Sequence, residues 1–274
     1  MDLPQRAGTS RPRLQPLPGR RRFATVRAIL ALMLREMATS YGRSPGGYVW
    51  AVLEPAAGIA FLTVVFSIGF RSPPIGVSFP IFYATGLVPF LIFHDLVTKT
   101  AASITFSKPL LAYPSVTFAD ALLARFILNG LTQMMVAYIL FTAIWVVQGG
   151  RTVPDFPAIA LAFAMLGVVS FGIGTFNCFM VTRFPVYQRI WSIATRPLFL
   201  VSGIFFIFDS IPQPFRDILW YNPLIHVVGQ MRHGFYPSYD AVYVSPVYVF
   251  GLGLGLLAVG LVFLGRYQRD LLNL

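Results

Sequence analysis

A chain that hydrolyses a nucleotide needs a glycine-rich loop to cradle the phosphates and a lysine to hold them. The only two lysines here, Lys99 and Lys108, have no G-x-x-x-x-G pattern before them. The sequence therefore offers no ATP site. His94, His226 and His233 are scattered without metal-ligand spacing, and there is no H-E-x-x-H. The single cysteine, Cys178, lies in an apolar run and can form neither an intrachain disulfide nor a cysteine metal cluster. The ten acidic residues are dispersed and no D-x-D occurs, so a glycosidase or transferase built on paired carboxylates has no support. No catalytic residue, metal site or cofactor is expected in this chain.

What remains are polar groups inside apolar segments, where a charge is costly and usually has a reason. Glu54 lies one turn into the first such segment, and Asp95 precedes Lys99 at i, i+4 near the end of the second, the favourable order for a helical ion pair. They read either as an interfacial structural pair or as part of a substrate entrance. Sugars present apolar ring faces and many hydroxyls, so a glycan path would use aromatic platforms, with guanidinium groups if the polymer is acidic. The aromatic candidates are Tyr41, Tyr48, Trp50, Tyr83, Phe93, Trp191, Trp220, Tyr221 and Tyr236; for any one of them an ordinary interfacial belt is the plainer account. Arg27, Arg35, Arg43 and Arg196, with Arg183, Arg189 and Lys99, could form an entrance for an anionic head group, although positive-inside anchoring explains most of them. Arg43 and Arg196 are the sharper candidates, because each lies against the start of a span, where a side chain could face a dimer cavity.

The elements that must position these groups are membrane helices. Hydrophobic residues make up 56% of the chain, charged residues only 11%, and the mean hydropathy is +0.70. A crossing takes about 20 helical residues, so 274 residues hold six of them and little room for a soluble catalytic domain. The expected class is all-α, a polytopic membrane protein. Its six apolar segments cover residues 48–70, 80–97, 119–147, 156–181, 190–208 and 246–265. The net charge of +11 is a topology signal rather than a sign of nucleic-acid binding, because nine of the 21 basic residues precede position 44. With the N-terminus inside, only Arg71, Arg151, Arg216 and Arg232 fall outside, so both termini are expected in the cytoplasm. A cleaved leader is not expected: the apolar run 28–34 is short, and Arg35 and Glu36 interrupt it.

Residues 1–22, rich in proline and arginine, read as a disordered basic tail. Residues 23–43 read as an amphipathic interface helix. At helical spacing Phe23, Val26, Ile29, Leu30, Met33, Leu34, Met37 and Tyr41 share one face; Arg27, Arg35, Glu36, Thr39 and Arg43 share the other, with Leu32 and Ser40 out of place. The six-span domain occupies 44–274. Within it residues 209–245 are aromatic, proline-rich and half apolar, and are expected to hold short re-entrant helices between the last two spans. Between the second and third spans, Pro109 and Pro114 bracket Leu110, Leu111, Ala112 and Tyr113, an apolar knob beside Lys108 that would dock a partner or else be a plain turn. Gly251-x-x-x-Gly255 and Ser170-x-x-x-Gly174 could serve a dimer seam, but such motifs are frequent by chance.

Three stretches carry a family resemblance. Arg35-Glu36-Met37-Ala38-Thr39-Ser40-Tyr41-Gly42-Arg43, followed by Gly46-Gly47-Tyr48-Val49-Trp50-Ala51-Val52-Leu53-Glu54-Pro55, resembles the start of type-2 ABC export permeases, in particular their capsular-polysaccharide (Kps-type) branch. Arg196-Pro197-Leu198-Phe199 with Ser202-Gly203 is a second match. The third is Tyr221-Asn222-Pro223-Leu224 with His226, Arg232 and Gly234-Phe235-Tyr236-Pro237. The likeness runs from about residue 23 to the C-terminus; Gly229-Gln230 stands where an acidic residue is expected before the arginine. The resemblance implies a homodimer in the bacterial inner membrane, each copy docked on a nucleotide-binding subunit that holds ATP and Mg, for which the loop with Lys108, Leu110, Leu111, Ala112 and Tyr113 is the best candidate surface in this sequence. It implies a lipid-linked acidic polysaccharide as cargo, an exit gate near Trp220, Tyr221, His226, Arg232 and Tyr236, and a periplasmic co-polymerase or adaptor with outer-membrane export proteins as partners. Export of another glycan (O-antigen or teichoic acid) or of a small drug, an ion-coupled carrier, and a membrane transferase remain the rival readings.

Overall fold

The computed structural model describes residues 24–40, 46–111, 116–149 and 153–273. The basic tail, Tyr41, Arg43, Ala112 and Tyr113 lie outside the described residues. Among the described residues the chain is helical and has no strand: α1 Ala24–Ser40, α2 Gly47–Gly69, α3 Phe79–Ala101, α4 Ser103–Leu111, α5 Phe118–Val147, α6 Phe156–Arg183, α7 Pro185–Val201, a 3-10 turn Phe208–Ser210, α8 Phe215–Trp220, α9 Pro223–Phe235 and α10 Pro246–Asn273.

Local chemistry sets several starts. Thr117 and Asp120 form a reciprocal capping box on α5: the Asp120 amide donates to the Thr117 hydroxyl at 3.2 Å, and the Thr117 amide to the Asp120 carboxylate at 2.9 Å. Asp155 caps α6 and Asn222 caps α9, each followed by proline early in the first turn, where its missing N–H is harmless.

Five helical stretches are long and apolar enough to cross a bilayer: Gly47–Gly69, Phe79–Leu111, Phe118–Val147, Phe156–Arg183 and Pro246–Tyr267. The second outruns the sequence expectation, because α4 continues α3 after a joint at Ala102. The segment expected to cross at 190–208 is not one helix. α7 stops at Val201, and Gly203 adopts a left-handed φ of 80°, which a β-carbon would strain. The backbone carbonyls freed beyond that point are taken by a side chain from α9.

The core is built on α3 and α6. Ala84, Leu87, Val88 and Val97 of α3 share a buried cluster with Met165, Leu166 and Val169 of α6 and with Val136, Ala137 and Leu140 of α5. α10 lies so close along α6 that a β-carbon on Gly172 would overlap the Gly253 carbonyl. Of the small-residue motifs in the sequence, Ser170 is wholly buried inside the subunit, while Gly251 and Gly255 face open space. α3 is mostly buried, whereas α2 packs on the core along one side through Ala51, Val52, Ala56, Ile59 and Leu62 and presents its other side, with Trp50, Leu53, Phe61, Val64 and Ile68 exposed, to lipid or to another chain.

Candidate functional site

α3 separates two polar assemblies by its own length of 23 residues, about 35 Å at roughly 1.5 Å per residue. One gathers α1, α4 and the start of α5; the other gathers the break after α7 with α8 and α9.

At the first end, α1 packs on α5 through Leu32 and Glu36, two residues that the amphipathic reading left out of the apolar face. Val26, Leu30, Leu34 and Met37 stay exposed. The reason is a buried ion pair: the Arg125 Nε donates to the Glu36 carboxylate at 3.1 Å, and the Asn129 amide donates to the same oxygen at 3.2 Å. With its polar residue satisfied inward, the helix keeps an apolar stripe free for a membrane interface. Leu110 and Leu111 pack half-buried on the same cluster of Leu32, Ala121 and Ala124 as Ile29 and Met33 of α1, leaving Lys108 and Pro109 as the exposed tip of α4. The expected apolar knob is thus partly consumed within the subunit. Two guanidinium groups lie over the Phe106 ring, Arg125 at 4.3 Å and Arg35 at 5.4 Å from the centroid.

Between α2, α3 and α5 lies a cavity of about 330 Å³ lined by Trp50, Glu54, His94, Asp95, Lys99 and Gln133. Asp95 and Lys99 form the expected ion pair at 3.0 Å, and Gln133 donates to the same carboxylate oxygen at 2.8 Å. Acid, base, amide and indole together can hold a hydroxyl-rich or zwitterionic group.

At the other end, Arg232 of α9 is fully buried. Its Nη1 donates to the Phe206 carbonyl at 2.7 Å and its Nη2 to the Ile204 carbonyl at 3.2 Å, with the guanidinium 4.3 Å from the centre of the Phe82 ring. Two carbonyls that lost their helix are thereby paired with a charged donor. His226 bridges α8 to the start of α10. Its Nδ1 accepts from the Ser245 amide at 3.1 Å, so its Nε2 is the protonated nitrogen and donates to the Trp220 carbonyl at 2.8 Å. Burial lowers the His226 pKa, and the Trp220 carbonyl acts in the opposite sense. Trp220 Nε1 donates to the Tyr243 carbonyl at 3.1 Å, and Tyr239 donates to Asp209 at 3.2 Å.

A family profile described as ABC-2 type transporter matches residues 27–236. This chain belongs to that family. Among curated proteins, the ABC-2 chain is 32% identical over 244 residues to the polysialic acid transport protein KpsM of Escherichia coli, covering 89% of this chain and 94% of that one. It is 26% identical over 246 residues to the capsule polysaccharide export inner-membrane protein BexB of Haemophilus influenzae, covering 89% and 92%. To CtrC of Neisseria meningitidis, named likewise, it is 25% identical over 245 residues, covering 89% and 92%.

The structure sorts the sequence-predicted residues of the ABC-2 chain into two sets. Arg27, Tyr48, Trp50 and Arg196 lie on its surface, with Arg35, Lys99 and Trp191 half-buried. Tyr83 and Phe93 are packed in the interior, so within one subunit neither lines an open surface. Of the second set, Tyr221 is exposed and Trp220 half-buried, His226 and Arg232 are buried structural links, and Tyr236 is buried in an apolar cluster with Phe235 and Tyr239. Sequence reasoning missed the Glu36, Arg125 and Asn129 triad and the role of Gln133. A glutamate within a helix otherwise free of acids was the available signal; its partner lies 89 residues away and gives none.

Proposed function

We propose that this chain is the membrane permease subunit of an ATP-driven ABC exporter that passes lipid-linked capsular polysaccharide across the bacterial inner membrane. The observation that carries the reading is the ABC-2 family match together with 32% identity to a polysialic acid transport protein over 94% of its length. The absence of a phosphate-binding loop in the sequence requires an ATPase subunit, which holds ATP and Mg, to dock from outside.

In this reading both termini are cytoplasmic and α1 lies on the inner interface. α7 and the unwound residues after it provide the sixth crossing. α8 and α9 dip into the outer leaflet and return, their backbone satisfied by neighbours such as Arg232 and His226. Two copies meet through the thinly covered α2 and α7 to enclose the path, and Arg189 and Arg196, exposed on α7, face the acidic cargo. The cargo then passes to a periplasmic co-polymerase or adaptor and outer-membrane export proteins. The exposed Lys108 and Pro109 present the docking tip to the ATPase.

Co-purification tests this. A complex of two copies with two ATPase subunits and a lipid-tailed glycan is expected, with transport abolished by inactivating the ATPase and indifferent to collapse of the proton gradient. Uphill cargo movement by the isolated chain would refute it.

A further inference from the structure

α3 and α4 would be one rod from Phe79 to Leu111 but for the joint at Ala102, and a break of this kind is a natural hinge. Arg125 reaches across from α5 and fills it. Its Nη1 donates to the Ala102 carbonyl at 3.0 Å, and its plane lies over Phe106, one turn further along α4. The Nε of the same guanidinium holds Glu36 of α1. One rigid fork therefore ties α1, α5 and the joint together, largely shielded from water.

We propose that Arg125 is a positioning residue of the export cycle, turning the α3–α4 joint from a hinge into a strut so that α4, α1 and the start of α5 shift as one body when the ATPase acts on the α4 tip. This rests on the transport reading above. A load on Lys108 and Pro109 meets first the apolar packing of Leu110 and Leu111 against Leu32, Ala121 and Ala124. Apolar contacts of that kind can slide, because they have no preferred direction. A guanidinium with two fixed acceptors cannot slide without breaking charge-assisted bonds. Were the joint free, the same load would bend the chain at Ala102 and leave the spans where they were.

The test uses the full complex with its ATPase in nanodiscs and proteoliposomes, comparing wild type with Arg125→Lys and Ala102→Gly. Lysine's single ammonium cannot span both acceptors as the fork does, and glycine loosens the joint while leaving Arg125 in place. Both variants are expected to hydrolyse ATP within about twofold of wild type yet move at least about fivefold less cargo per ATP, the lower end of typical coupling between sites. The Phe106 amide, which donates to the Ala102 carbonyl, is expected to exchange its hydrogen faster in both. A general loss of structure would lower hydrolysis and transport together and leave their ratio unchanged. Unchanged cargo per ATP with unchanged Phe106 exchange overturns the proposal. If Arg125→Lys fails to assemble, Ala102→Gly decides, since it removes one half-exposed methyl group. Absence of ATP-dependent transport in wild type would instead refute the transport reading, leaving the exchange measurement to judge the strut.

Discussion

Arg232 and Phe206 are joined across 26 residues by a 2.7 Å hydrogen bond that replaces the helix α7 failed to continue. Arg232→Met would leave the buried Ile204 carbonyl without a donor, at about 1–3 kcal/mol, and cost less at the half-buried Phe206 carbonyl. Arg232→Lys should recover one of the two. Thermal unfolding in nanodiscs is expected to rank wild type above Lys above Met, with amide hydrogen exchange rising at residues 202–207. Equal melting of all three would show the guanidinium to be dispensable.

His226 predicts a pH effect. Its pKa is lowered chiefly by burial, and protonation would place a hydrogen on the Nδ1 that accepts from Ser245. The unfolded chain takes up this proton near the ordinary value of about 6.5 while the folded chain resists it. Stability should therefore fall as pH drops below about 6.5 and level off once the folded value is passed. A melting series from pH 8 to pH 5 should show this slope in wild type and lose it in His226→Gln, which is less stable throughout. The same slope in both would assign it to another group.

The α6–α10 seam has no room for a methyl group. Gly172→Ala must push the helices apart against the Gly253 backbone, a loss of about 1–3 kcal/mol. Gly251→Ala, on the open side of α10, should change stability by less than about 0.5 kcal/mol. A reversed order in chemical or thermal denaturation would contradict the packing.

Arg125→Ala strands the Glu36 carboxylate in a buried site, which costs about 3–5 kcal/mol. Combining Glu36→Leu with Arg125→Met should restore much of that stability, since replacing both charges avoids the stranded one. A double-mutant cycle in which the two losses simply add would argue against direct coupling.

Arg43→Ala and Arg196→Ala, with membrane insertion retained, should each lower capsule export about tenfold, the equivalent of one charge-assisted hydrogen bond to an anionic cargo. Normal capsule from both variants would remove their role in the path.

Particular residues show where reading from sequence ends. Residues 119–147 and 156–181 were legible as spans because a long apolar run has few alternatives in water, and α5 and α6 contain them. Residues 190–208 looked like another such run. Apolar composition does not report whether the backbone stays helical, and a left-handed Gly203 with a donor at Arg232 made the break affordable. α1 shows the same limit on a smaller scale: Leu32 and Glu36 looked out of register with the packed face and proved to be that face.

The sequence alone determined that this chain lives in lipid, which segments are apolar enough to cross it, and that no phosphate loop supplies energy, because hydropathy and motif spacing are properties of neighbouring residues. The tertiary structure decided which face of α1 is packed, where α7 stops, and which arginines become braces. Those outcomes depend on partners far away in the chain: Glu36 meeting Arg125, and Arg232 meeting two orphaned carbonyls. A buried charge or an unpaired backbone group is settled only by what surrounds it in three dimensions.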